Sequence, residues 1–233
     1  MSKQAYPEQR VLIASATRKT QDEFMRESAL GQSLLRLNED RRIKGVIAFE
    51  NRFGLPAVYN TALAAAMPDD IVVFIHDDVW LDDHHFCDHL IQGLAHFDIV
   101  GVAGNRRRLP GQPSWLYTDI RQPRETEDFV SGAVAHGAKA CGEITWFGPL
   151  GVECELLDGV LLAAKASRLL ESGVVFDTRF DFHFYDLDFC RSARQKQLRL
   201  GTWPIAITHQ SDGSFADPRW QAGLQIYRDK WGD

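Results

Sequence analysis

Apolar blocks of five or six residues recur along the N-terminal half of the chain, separated by stretches with helical spacing. Val11–Ala16 (VLIASA) is short, apolar and flanked by charge, which predicts a buried strand. Thr20 with Glu23 forms a capping-box pattern, and Phe24, Ser28, Gly31 and Leu35 then mark one face of a helix ending near Asn38. Ile43–Phe49 predicts a second strand, and Pro56 opens a helix that runs to Ala66 ahead of Pro68. Ile71–Ile75 (IVVFI) holds no polar residue, as expected of a strand covered on both faces. Asp82 and Asp83 can cap a helix with the apolar face Phe86, Leu90, Leu94 and Phe97, and a strand over Ile99–Ala103 follows.

This alternation predicts an α/β fold with a central, mostly parallel sheet flanked by helices. In such sheets ligands sit beyond the carboxyl ends of the strands. The residues that follow each strand therefore matter most: Thr17–Arg18, Glu50–Asn51, His76–Asp77–Asp78 and Gly104–Asn105. The C-terminal half is more mixed. Pro110, Pro113, Pro123 and Pro149 predict long loops and short strands over residues 105–150. Beyond them lie a strand over Asp158–Ala164, a short helix stopped by Gly173, a helix over Tyr185–Gln197, a strand over Thr202–Thr208 and a helical tail, Pro218–Trp231.

Composition narrows the class. At 233 residues, 45% hydrophobic and 25% charged, the chain suits one globular domain. The change of pattern divides it into halves of about 1–104 and about 105–233. A net charge of −6 lacks the basic field of a nonspecific nucleic-acid binder, although Arg106–Arg107–Arg108 is a local basic spot. No apolar run approaches the roughly 18–20 residues of a membrane helix. Met1–Arg10 is polar and shows no secretory signal, which points to the cytoplasm. Cys87, Cys141, Cys154 and Cys190 contain no Cys-x-x-Cys pair, so reduced and mostly buried thiols are expected rather than a zinc or disulfide framework.

Three places carry candidate chemistry. His76–Asp77–Asp78 directly follows the apolar strand, where a divalent cation would offset the repulsion of the two carboxylates; a simple turn is the plainer alternative. His84, His85 and His89 lie close by, but no Glu of a His-Glu-x-x-His motif stands between them, and solvent-facing histidines are expected. Asp186 and Asp188 fall near a helix start among Phe182, Phe184, Tyr185 and Phe189, surroundings that raise a carboxyl pKa and suit a general base. Asp188 can also pair with Arg191 one turn on. His209 closes the last strand, either as a core histidine or as a metal ligand.

Taken in order, Ala57–Leu63, Phe74–Val79, Phe180–Asp181 with Tyr185–Phe189, and Thr208–Ser211 resemble the GT-A nucleotide-sugar glycosyltransferases, closest to the bacterial family-2-like branch. The resemblance spans about residues 11–211 and implies a nucleotide-binding half of about 1–104 and an acceptor-binding, catalytic half of about 105–233. It implies transfer of a sugar from a nucleotide-diphosphate sugar, UDP-linked for preference, to a hydroxyl of a carbohydrate or glycolipid acceptor, with inversion and with Mn2+ or Mg2+ as cofactor. It also implies roles for single residues. Asp78 and His209 would hold the metal, with Asp186 as base. Ser15, Glu50, Asn60, His76, Asp77 and Asp78 would meet the donor, and Asp158, Gly159 and Tyr185 the acceptor. His76 stands where the family commonly has Asp, and Tyr185 where it has Glu. It implies no nucleic-acid partner and leaves peripheral contact with the inner face of a membrane open. Two alternatives stand beside it. One is a nucleotidyltransferase, although Ala14–Lys19 lacks the glycines of a triphosphate loop. The other is a binding module of the same fold without turnover.

Overall fold

Each N-terminal apolar run becomes a strand. In the computed structural model, which describes residues 9–119, 124–211 and 218–232, β1 (Val11–Ala16) leads into α1 (Gln21–Glu27) and α2 (Ala29–Arg36). Then come β2 (Ile43–Ala48), α3 (Leu55–Ala65), β3 (Ile71–Ile75), β4 (Val79–Leu81), α4 (Phe86–His96), β5 (Ile99–Gly101) and β6 (Ala103–Asn105). The C-terminal half adds β7 (Val130–His136), β8 (Glu143–Gly148), β9 (Glu153–Cys154), β10 (Leu156–Leu157), β11 (Leu161–Lys165) and α5 (Ala166–Ser172). It ends with α6 (Tyr185–Gln195), β12 (Leu200–Thr202), β13 (Ile207–His209) and α7 (Pro218–Trp231). Pro123 and the polar stretch before Gln9 lie outside the described residues.

The seven-stranded sheet runs β2-β1-β3-β11-β5-β12-β9. Five of its seven strands point the same way; β11, between β3 and β5, and the edge strand β9 run against them. Every residue of β3 is buried, as its unbroken apolar sequence predicts. A six-stranded sheet, β10-β6-β7-β13-β4 with β8 also on β7, packs beside it. Two single strands predicted from sequence are each divided between the sheets. Residues 99–103 split at Val102 into β5 and β6, and residues 202–208 split over residues 203–206 into β12 and β13. Residues 105–150 hold a β7–β8 hairpin more regular than expected. The described helices include none long and apolar enough to cross a membrane.

The first predicted helix is two. Ser28 is extended, its hydroxyl donates to Phe24 O (2.7 Å) and accepts from Gly31 N (2.9 Å), so it ends α1 and caps α2. Gly31 is required at this corner, because a Cβ there would stand 2.1 Å from Phe24 O. The predicted Thr20–Glu23 capping box is present. All four cysteines are free, with only Cys141 exposed.

Helix α6 is anchored through Asp188, but not by Arg191 as its spacing suggests. Asp188 is fully buried and accepts from Lys230 Nζ (2.9 Å) and Trp231 Nε1 (2.9 Å) of α7, while the Arg191 guanidinium lies 4.2 Å over the Trp231 ring. The partner that wins is distant in sequence, which an i,i+3 rule cannot see. Removing the charge leaves a partly buried ammonium with Asp177 (2.8 Å) as its remaining carboxylate among the described residues. Asp188→Asn should therefore lower unfolding stability by roughly 2–3 kcal/mol. Urea denaturation measures this, and an unchanged midpoint would show that the contact contributes nothing.

Candidate active site

The site forms where β3 ends. The His76 N–H donates to Val160 O (3.3 Å) on the antiparallel neighbour, and the chain then turns through Asp77 and Asp78 into β4. Strand β4 runs antiparallel to β13, with Val79 opposite His209, and the Gln210 N–H donates to Asp78 O (3.0 Å). This ladder carries His209 to Asp78 from the far end of the chain. His209 Nε2 lies 3.3 Å from Asp78 Oδ1 and 3.0 Å from Ser211 Oγ. One ligand atom each from His76, Asp78 and His209 falls within 4.8 Å of the others, a group that could hold a metal ion. Burial pushes the Asp78 carboxyl up, but the hydrogen bond and the charge of His209 outweigh it and hold the carboxyl at about 2. Burial lowers the His76 pKa, which keeps the imidazole neutral and fit for ligation.

Asp186 lies in the first turn of α6. Its Oδ2 accepts from Gly159 N (3.1 Å). Burial, and then the charge of Asp158, raise its carboxyl to about 7. Asp158 is itself fixed: Oδ2 accepts from Trp115 Nε1 (2.6 Å) and Oδ1 from Val160 N (2.8 Å). Tyr185 joins the two groups, since its hydroxyl donates to Gly159 O (2.8 Å) and lies 2.9 Å from His76 Nε2. Gly159 has no room for a side chain here. A Cβ would stand 2.4 Å from Tyr185 Oη and 2.9 Å from Asp186 Cβ.

A cleft of about 620 Å3 is lined by His76, Asp158, Gly159, Tyr185, Asp186 and His209, walled by Trp115 and Phe147. A second cleft, about 470 Å3, opens beyond β1 and contains Thr17, Asn51 and Asp77 with Arg18, Arg52, Arg179 and Arg219. Phe182 and His183 line both.

Nine of the twelve sites expected from sequence and resemblance fall on residues of these clefts or of the cluster that could hold a metal: His76, Asp77, Asp78, Asp158, Gly159, Tyr185, Asp186 and His209, with Asp78 counted in two roles. Ser15, Glu50 and Asn60 line neither cleft. Ser15 is fully buried in β1, and its hydroxyl has no partner among the described residues. Glu50 is exposed with φ 48°, while its neighbours Asn51 and Arg52 reach the second cleft. Asn60 is fastened to the backbone of Phe176, with Nδ2 donating to its carbonyl (2.7 Å) and Oδ1 accepting from its N–H (2.9 Å). That pair fixes an aromatic core in which Phe176 stacks on Phe189 at 4.1 Å beneath the site. Of the other histidines, His85 faces solvent as expected, whereas His89 is tied to buried Asp83 (2.5 Å). The arginines of the second cleft, apart from Arg18, carry no motif in the sequence and are assembled by folding alone.

No family model matches the sequence, and no curated protein does. Among solved structures, the chain is similar to the catalytic domain of Drosophila beta1,4-galactosyltransferase 7 in complex with xylobiose. The identity is 7%, with 93% of this chain and 79% of that one covered at a TM-score of 0.47. It is similar to the mannosyltransferase PcManGT of Pyrobaculum calidifontis in complex with GDP-Man and Mn2+ (13% identity, 94% and 68% covered, TM-score 0.46). It is also similar to S. aureus TarS 1–349 (12% identity, 86% and 60% covered, TM-score 0.47). These likenesses concern the course of the chain and assign no residue a role.

Two outcomes follow from the geometry. Gly159→Ala should cost about 1–3 kcal/mol through overpacking, and the Tyr185 ring should shift in a crystal structure of the variant; an undisturbed ring would contradict the close approach. Asp186 has a folded pKa above its unfolded value, so its charge destabilises the fold above about pH 7 and has no effect below about pH 4, where both states are protonated. Asp186→Asn should thus be more stable than the native chain at pH 8, and the gap should close as pH falls to 4. A gap that widens on acidification would reverse the sign.

Proposed function

We propose that the chain is a glycosyltransferase that moves a sugar from a nucleotide-diphosphate sugar to an acceptor hydroxyl with inversion. One observation carries the reading: the two histidines of a cluster that could hold a cation, His76 and His209, line the same cleft as a carboxyl with a pKa near neutrality, next to a second cleft that holds four arginines. The donor set of imidazoles and a carboxylate fits a divalent cation. Asp78 and His209 would hold it, and when bound it supplies Lewis-acid neutralisation of the charge that develops on the departing diphosphate.

The remaining work belongs to side chains. Arg18, Arg52 and Arg219 bring positive charge to the end of β1, where a diphosphate is attracted, and Asp77 lies on the same wall. Asp186 receives the proton of the acceptor hydroxyl as the oxygen attacks the anomeric carbon. The new carbon–oxygen bond forms as the bond to the phosphate oxygen breaks, and a single displacement inverts the centre. A pKa of about 7 is close to the working pH, where a base is both ionised and strong enough to act. Asp158 keeps that value high by repulsion. The Trp115 and Phe147 walls suit the apolar faces of a carbohydrate. A UDP-sugar donor, a carbohydrate or glycolipid acceptor, and a place in the cytoplasm or at the inner face of the membrane belong to the same reading.

Thermal shifts with a panel of nucleotide-sugars, with and without Mn2+, test it. A donor at a hundred times its Kd should add about 2.7 kcal/mol of apparent stability, and Asp78→Ala should abolish the Mn2+-dependent part. Asp186→Asn should keep donor binding while transfer falls roughly 10²–10⁴-fold. Transfer by Asp186→Asn at the native rate would place the base elsewhere, and no shift with any nucleotide-sugar would overturn the donor.

A further inference from the structure

The contacts of the Tyr185 hydroxyl decide which nitrogen of His76 carries the proton. A phenol has one hydrogen. The Gly159 carbonyl, 2.8 Å away, can only accept, so that hydrogen is committed to it. The same oxygen lies 2.9 Å from His76 Nε2, and the contact is a hydrogen bond only if Nε2 donates. A neutral imidazole with its proton on Nε2 has its one free lone pair on Nδ1. His76 also belongs to the group whose ligand atoms gather within 4.8 Å.

We infer that His76 is a third cation ligand, through Nδ1, and that Tyr185 is the positioning residue that locks it in the ligating tautomer. The inference rests on the transferase reading only for the cation's purpose. It moves Tyr185 from the acceptor-binding role expected of it to the support of the metal site. Such outer partners of a ligating histidine fix its ring and its proton, and their loss typically weakens metal binding 10–100-fold. A set of two imidazoles and one carboxylate also separates cations that the sequence leaves undivided. Mg2+ favours oxygen ligands and sheds water reluctantly, whereas transition metals accept imidazole nitrogen. The chain should therefore bind Mn2+ and Co2+ more tightly than Mg2+.

The first measurement needs no metal. Long-range 1H–15N spectra of histidine-labelled protein, with the His76 signals identified by their loss in His76→Gln, should show the Nε2–H tautomer. Tyr185→Phe should shift His76 toward a tautomer mixture. A merely structural tyrosine would leave this signature in place, and an Nδ1–H tautomer in the native chain overturns the assignment. Calorimetric titration then reads the consequence: Mn2+ and Co2+ affinity should fall 10–100-fold in Tyr185→Phe and at least as far in His76→Ala. Unchanged affinity in both variants overturns the inference. UDP-sugar binding measured alongside separates the two readings. A native chain that shows these losses of metal but binds no nucleotide-sugar upholds the ligand assignment and overturns the transferase. One that binds nucleotide-sugar with Mn2+, while both variants keep its metal affinity, overturns the ligand assignment alone.

Discussion

The backbone of Gly159 is held between two side chains. Its carbonyl accepts from Tyr185 and its N–H donates to Asp186. Everything in the first cleft depends on that arrangement. Tyr185 reaches His76 at the end of β3 only because its ring lies against a residue without a Cβ. Asp186 is drawn to the same backbone and so comes to face Asp158, whose charge helps raise its pKa. One small residue thus couples the group that would bind a cation to the group that would take a proton.

The two sheets explain how residues so far apart in sequence converge. Strand β3 delivers His76 to the carboxyl end of the first sheet's interior, and the β4–β13 ladder of the second returns His209 to Asp78. Burial is then uneven across the cleft. At Asp78 it is outweighed by a histidine partner, and at Asp186 it is reinforced by a neighbouring carboxylate. Two aspartates of equal intrinsic acidity end with pKa values of about 2 and about 7, which is the separation expected of a ligand and a base.

Features set by local chemistry were legible in the sequence. The unbroken apolar run of β3, the Thr20–Glu23 box, the Gly173 stop and the carboxylates after β3 and at the start of α6 all stand where their spacing puts them. What was not legible depends on distant partners. Ser28 breaks a continuous helical pattern because its hydroxyl serves both segments. Asp188 chooses Lys230 and Trp231 over the nearby Arg191. Asn60 reads as a donor contact and instead binds the backbone of Phe176. Each strand divided between sheets looks like one strand, since its apolar pattern does not change at the crossing. Asp158 was visible as an acceptor contact at the start of a strand, but its repulsion of Asp186 arises only once the turn before β11 meets α6.

The central claim is that the cation and the base occupy separate places in one cleft. Anomalous diffraction at the manganese edge, from a crystal soaked with Mn2+ and a nucleoside diphosphate, tests it most directly. The account predicts one peak bounded by Asp78 and His209, with the diphosphate extending toward Arg18 and Arg52 and no metal at Asp186. A manganese peak held between Asp158 and Asp186 would contradict it, because the carboxylate assigned to the proton would then be a ligand.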